Sequence, residues 1–225
     1  MKTKLLGLVA SLTLFGAISP ASANLIVNGS FEDGVDPGGS FKTIFGVDTT
    51  SITGWTVGDN SIDYISGYWK AGQGARSLDL SGNDLGSVSQ SFKTTIGKLY
   101  TVSFLLAGNP DGGPFPKTVD VSVGTAFNKT FDFPFPGGTL GTLANMNWTP
   151  ISFTFTANSN SELLKFASVT CATGPNACAF GPALDAVSVS AVPELSTWIM
   201  MLLGFAGIGM TAYRRARKTA PIAIV

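Results

Sequence analysis

The feature that most constrains this chain is a period of two. Tyr100, Val102, Phe104 and Leu106 fall on one face with Thr101 and Ser103 opposite. Val119, Val121 and Val123 alternate with Thr118, Asp120 and Ser122, and Ile151, Phe153 and Phe155 with Ser152, Thr154 and Thr156. Successive side chains on a strand point to opposite faces, so this pattern is that of strands with one face buried and one in water. Residues 24–28, 52–57, 62–66, 76–80, 87–92, 127–133, 163–169 and 184–189 read as further strands. Clusters such as Asn109-Pro110-Asp111-Gly112-Gly113-Pro114 and Pro134-Phe135-Pro136-Gly137-Gly138 separate them as turns. No stretch between the chain ends sustains a helical period. Many short antiparallel strands in one unit favour an all-β jelly-roll sandwich of two antiparallel sheets over an up-and-down barrel.

The two ends read differently. Lys2 and Lys4 precede an apolar run, residues 5–18, and Ala21-Ser22-Ala23 has the small-x-small form of a cleavage site. Residues 1–23 are therefore expected to be a signal peptide, with Asn24 as the mature N-terminus and the Sec translocon as export partner. At the other end residues 198–213 are uncharged and apolar, and a basic cluster follows with Arg214, Arg215, Arg217 and Lys218. Sixteen helical residues rise about 24 Å, somewhat short of the ~30 Å hydrocarbon core, so this reads as a marginal membrane helix with its arginines in the cytoplasm. The expected organisation is a signal peptide (1–23), one β-sandwich (24–190), a sorting segment (191–218) and a short tail (219–225).

The whole chain has 14 Lys+Arg against 14 Asp+Glu. Six of the basic residues belong to the ends, which leaves 8 basic against 13 acidic residues, a net charge of −5, in residues 24–192. A mildly acidic body argues against a nucleic-acid partner, because phosphate binding needs a basic face. The chain has no histidine and two cysteines. A Ser-His-Asp triad, a Cys-His dyad, an HExxH zinc site and a four-thiolate zinc site are thereby excluded. Carboxylate chemistry of the glycosidase kind stays open, with Asp59, Asp63, Asp79 and Asp84 available but no pair marked.

Val192-Pro193-Glu194, then Trp198, the apolar segment and Arg214-Arg215, resemble the PEP-CTERM sorting signal of Gram-negative bacteria, although Leu195 stands where that family usually has a second proline. The resemblance implies processing by an exosortase, a membrane transpeptidase-like cysteine protease, with transient residence in the inner membrane and a final place at the cell surface or outside the cell. The body resembles the choice-of-anchor C family. The resemblance rests on Asn24-Leu25-Ile26-Val27-Asn28-Gly29-Ser30-Phe31-Glu32, Ile52-Thr53-Gly54-Trp55, Ser66-Gly67-Tyr68-Trp69, Ser77-Leu78-Asp79-Leu80-Ser81-Gly82, residues 107–114 and Gly181-Pro182-Ala183-Leu184-Asp185. It implies a galactose-binding-like fold, similar to carbohydrate modules, with no established catalysis.

Asp185 shares strand phase with Val187 and Val189, so its carboxylate is expected to be partly buried and in need of a partner. Galactose-binding-like modules often hold calcium between a first-strand Glu and a late-strand Asp. By that resemblance Glu32 and Asp185 are candidate ligands for a structural calcium ion, the alternative being a carboxylate bonded to backbone amides. Tyr68, Trp69 and Trp55 are candidates for stacking on sugar rings, against the alternative that they fill the core. Cys171 and Cys178 flank a turn-prone loop in an exported domain and are expected to form a disulfide. The function expected from all this is a non-catalytic surface or matrix protein associating with extracellular polysaccharide. A carboxylate-based glycan-active enzyme and a purely structural matrix component are the alternatives.

Overall fold

The computed structural model describes residues 23–134, 138–169, 171, 178–193 and 195–218. The leader up to Ser22, Glu194, the side chains of residues 195–198 and the tail 219–225 lie outside the described residues. Eleven strands form among them: β1 (Phe41–Phe45), β2 (Thr56–Asp59), β3 (Ser61–Ile65), β4 (Ser77–Asp79), β5 (Gly86–Lys93), β6 (Leu99–Gly108), β7 (Lys117–Val123), β8 (Phe127–Phe133), β9 (Thr149–Thr156), β10 (Ser161–Ser168) and β11 (Pro182–Ala191).

The strands make two sheets, one in the order β1-β3-β4-β11-β6-β9 and one in the order β2-β5-β10-β7-β8, with every pairing antiparallel. The alternation in the sequence sets which face each sheet buries. Tyr100, Val102, Phe104 and Leu106 of β6 point at Val119, Val121, Leu164 and Phe166 of the facing sheet, and all eight are buried. The Phe104 and Phe166 rings meet edge to face at 5.0 Å, joining the sheets at their centre. Each such side chain contributes roughly 1.5–3 kcal/mol by leaving water. This is the two-sheet antiparallel sandwich the alternation predicts.

Two local departures from regular pairing shape the site. Residues 24–28 run beside β11, with Leu25 N–H donating to Val189 O and Val187 N–H to Gly29 O at 2.8 Å each, but they are not a regular strand. Positive φ at Asn28 (53°) and Phe31 (59°) breaks the extended geometry there. Strand β11 carries a bulge: Asp185 faces Leu105 and Ser188 faces Ser103, so Ala186 and Val187 together oppose one residue of β6. Ala186 adopts φ 51° to make the extra step. Strand β1 shows no alternation in sequence because it is an edge strand, with only Ile44 well buried and Phe41 and Phe45 exposed.

The last described element is α1 (Leu195–Lys218). Ile199, Met200, Leu202, Leu203, Phe205, Ile208 and Met210 on it are exposed. Among the described residues no helix is long and apolar enough to cross a membrane. The segment 198–213, where a spanning helix is expected, lies within α1, and its uncharged stretch reaches Arg214 after about 24 Å against the ~30 Å of a bilayer core.

Candidate functional site

Between β3 and β4 the chain crosses the outer face of the six-stranded sheet as a loop, residues 66–76, and this loop organises the site. Trp69 anchors it: the indole is buried and donates to Ser77 Oγ at 2.8 Å. Further along, the N–H groups of Gly72 and Gln73 donate to Asp185 Oδ2 at 2.9 and 2.8 Å. Those of Ala75 and Arg76 donate to Glu32 Oε1 at 2.9 Å each. Trp148 Nε1 donates to Lys70 O at 3.0 Å and closes the far side. Gly74, at φ +67°, turns the chain between the two carboxylates, and a Cβ there would fall on the Glu32 carboxyl group.

The bulge in β11 explains why Asp185 takes part. Without it Asp185 would share the inner face with Val187 and Val189. With it, Asp185 stands beside Leu105 on the outer face and is buried by the loop instead. Its third bond is from Ala186 N–H to Oδ1 at 2.6 Å. Burial pushes its carboxyl up to about 7, the three amide bonds pull in the other direction, and the nearby Glu32 adds to the rise.

Glu32 and Asp185 both bond to this one loop, through its amide hydrogens. Calcium takes six to eight oxygens. Here N–H groups face three of the four carboxylate oxygens, and among the described residues no group of three or more metal-capable side chains exists. As folded, both carboxylates accept from backbone amides, the alternative weighed for them in the sequence.

Beside this loop lies an open cleft of about 820 Å³ on the outer face, within the size range of small-ligand sites. Strand β6 contributes Ser103 and Leu105, β9 contributes Pro150 and Ser152, and β11 contributes Ala186 and Ser188. Gly72, Gln73 and the segment 24–30 form its walls. No charged residue lines it. The Ser103, Ser152, Ser188 and Gln73 side chains make no hydrogen bond to the protein among the described residues, so their donors and acceptors are available. The strained φ of Ala186 lies on its floor, where such strain is often found beside ligand sites.

A second polar cluster sits at the end of the sandwich. Asp79 is fully buried and accepts from Ser81 N–H and Gly181 N–H at 3.0 Å each and from Asn109 Nδ2 at 2.9 Å. Lys117, also fully buried, donates to Gly112 O at 2.6 Å and to Phe180 O, with its ammonium 4.6 Å from the centre of the Phe115 ring. Burial pushes Asp79 up to about 7 and pulls Lys117 down to about 8. Together they hold the 109–114 and 178–181 loops onto the core. Sequence reasoning missed Lys117, although its phase with Val119, Val121 and Val123 was the available signal.

The remaining sequence candidates serve other parts of the fold. Trp55 is buried, donates to Asn28 O at 3.0 Å and packs on Phe31, so it serves the core and not a sugar. Trp69 is likewise enclosed. Tyr68 is half-buried beside Phe41, and its hydroxyl donates to Asp111, which pushes the phenol up to about 12. Asp63 and Asp79 are direct cross-strand partners, but Asp79 has no exposed surface. Asp59 pairs with Lys165 at 3.0 Å, and Asp84 accepts from Leu85 N–H. Cys171 and Cys178 form the expected disulfide. Val192 N–H donates to Leu99 O at 2.9 Å, Pro193 is exposed, and Arg214 and Arg215 are exposed near the end of α1.

Fold and cleft together define a two-sheet β-sandwich with an uncharged surface cleft. Residues 24–190 match the family described as "Protein of unknown function (DUF642)", and the chain belongs to that family. It is 31% identical over 190 residues to halomucin of Haloquadratum walsbyi, a match covering 82% of this chain and 2% of halomucin, so the chain spans a small fraction of that relative. Among solved structures it is similar to TmCBM61 in complex with β-1,4-galactotriose, at 13% identity and TM-score 0.43, covering 76% of this chain and 100% of that one. It is also similar to the CBM22-1 xylan-binding domain from Paenibacillus barcinonensis Xyn10C, at 13% identity and TM-score 0.39, covering 69% and 97%. At these scores the two likenesses carry no argument about ligand.

Proposed function

We propose that this protein is an exported, non-catalytic surface or matrix protein that associates with polysaccharide through the cleft across β9, β6 and β11. The observation that carries this reading is the cleft's lining: hydroxyl and amide side chains without protein partners, interleaved with the apolar surfaces of Leu105 and Pro150, and no ionisable group. Sugar hydroxyls both donate and accept, as Ser and Gln side chains do, and the C–H faces of sugar rings suit apolar surface. The same lining supports a binding role over a catalytic one, because glycoside hydrolysis needs two carboxyl groups flanking the bond and the cleft offers none.

The sorting of the chain is part of the proposal. A leader removed before Asn24, a choice-of-anchor C-type body and exosortase handling of a PEP-CTERM-like tail are supported by the order of Val192-Pro193, the exposed apolar side chains of α1 and the arginines that follow. The disulfide is in keeping with an oxidising compartment.

The test is retention of the exported protein on a panel of immobilised polysaccharides, comparing wild type with Ser103→Trp. Ser103 lies on the outer face of β6, so the indole fills the cleft without entering the core. At least a tenfold loss of retention with an unchanged melting temperature supports the reading. Equal retention by the variant places polysaccharide elsewhere, and no retention by either protein removes the reading.

A further inference from the structure

An anionic sugar is held in proteins by charge-assisted bonds from Arg or Lys, often in pairs. The cleft lining contains neither, and the chain has no histidine to substitute for them. Outside the lining, Asp185 accepts from the Gly72 and Gln73 N–H groups and Glu32 from those of Ala75 and Arg76; the same loop carries Lys70 and Arg76, the latter's guanidinium donating to Val35 O and Tyr64 Oη. The body as a whole carries 8 basic against 13 acidic residues over 24–192, so its field also repels anions.

The geometry points to a cleft that selects uncharged glycan chains and rejects uronate-containing, sulfated or phosphorylated ones, with Ser152 at the edge strand as a position that sets this choice; this rests on the polysaccharide reading. A neutral glycan loses little on leaving water when each hydroxyl exchanges a water for Gln73, Ser103, Ser152 or Ser188. A carboxylate in the same place would leave water with no cation to meet it, which is costly. Ser152 is exposed, lies on β9 at the edge of the sheet and lines the cleft mouth, so a longer side chain there reaches the ligand without disturbing the core.

The experiment measures retention of the full exported chain on immobilised β-1,4-galactan and β-1,3-glucan as neutral probes and on polygalacturonate and alginate as acidic ones. Wild type is expected to be retained on at least one neutral probe at least tenfold more strongly than on the acidic ones. That retention should not change between about 0.05 and about 0.5 M salt, because no ion pair is there to be screened. Ser152→Lys is expected to gain salt-sensitive retention on polygalacturonate, with circular dichroism confirming an unchanged fold. Wild-type retention on the acidic probes equal to or above that on neutral ones overturns the selectivity while leaving polysaccharide binding intact. Absence of any gain in folded Ser152→Lys overturns the role of Ser152. No retention on any probe removes the polysaccharide reading itself, and the selectivity with it.

Discussion

Glu32 and Asp185 are 153 positions apart in the chain and grip the same five-residue segment, Glu32 by the amides of Ala75 and Arg76 and Asp185 by those of Gly72 and Gln73. The segment forms a wall of the cleft, so the first and last parts of the domain jointly fix one side of the site. Asp185→Ala leaves three part-buried N–H groups without an acceptor, and each costs up to about 1–3 kcal/mol, less where water reaches it. Thermal unfolding should show a clear loss of stability, accompanied by weaker polysaccharide retention. Gly74→Ala should do the same from the other direction, because its φ of +67° disfavours a side chain and its Cβ would displace the Glu32 carboxyl. Retention at wild-type strength in folded Gly74→Ala would separate the loop from the site.

The same geometry makes a calcium experiment informative. A ligand that binds only the folded state at a hundred times its dissociation constant stabilises by about 2.7 kcal/mol, which a melting curve resolves easily. With the carboxylates bonded to amides, chelator and added calcium are expected to leave the melting temperature where it is. A rise with calcium in wild type that disappears in Asp185→Asn would mean that the carboxylates turn from the loop to bind the ion.

Asp79 and Asp185 give the pH dependence its direction. Both carboxyls are pushed up from 3.8 to about 7 by burial, so the folded state binds their protons more tightly than the unfolded chain does. The stability they contribute is complete below pH about 4 and is lost as pH rises through about 7. Lys117 acts in the opposite sense: pulled down from 10.5 to about 8, its contribution is complete above about 10.5 and is lost as pH falls through about 8. The melting temperature is therefore expected to be lower at pH 7 to 8 than at pH 5. In Asp79→Asn this slope should flatten even though the variant is less stable, since the new amide sets a donor against a donor site of Asn109. A slope unchanged by the substitution would assign the pH dependence to other groups.

Much of the sandwich was legible because burial on one face writes itself into a strand as alternation. The strands seen at 99–108, 117–123, 127–133 and 149–156 are those the pattern predicts. What was not legible depended on breaks in that pattern. The bulge at Ala186 reverses the phase of β11, so Asp185 is buried as expected but on the opposite face from the one its spacing from Val187 and Val189 implies. Trp55 and Trp69 could have been surface or core, and no local rule distinguishes these outcomes when the deciding partners, Asn28 O and Ser77 Oγ, lie on other segments. The cleft was invisible because serine at an outward position looks the same in sequence whether it faces water or a ligand.

The disulfide provides a last test, because it acts on the same return segment as the buried charges. Cys171–Cys178 closes a ring just before Phe180 and Gly181, whose backbone groups are held by Lys117 and Asp79. In the chain-entropy picture a ring of about eight residues contributes roughly 2.5 kcal/mol by restricting the unfolded state. Cys171→Ser should therefore lower the melting temperature modestly, while Lys117 and Asp79 keep 178–181 docked and polysaccharide retention stays intact. Lys117→Met removes that second hold by leaving the Gly112 and Phe180 carbonyls without their donor. The two losses share one segment, so the double variant should be destabilised by more than the sum of the singles, a coupling that independent sites do not show. Strict additivity in urea unfolding would mean that the bridge and the buried lysine stabilise separate parts of the protein.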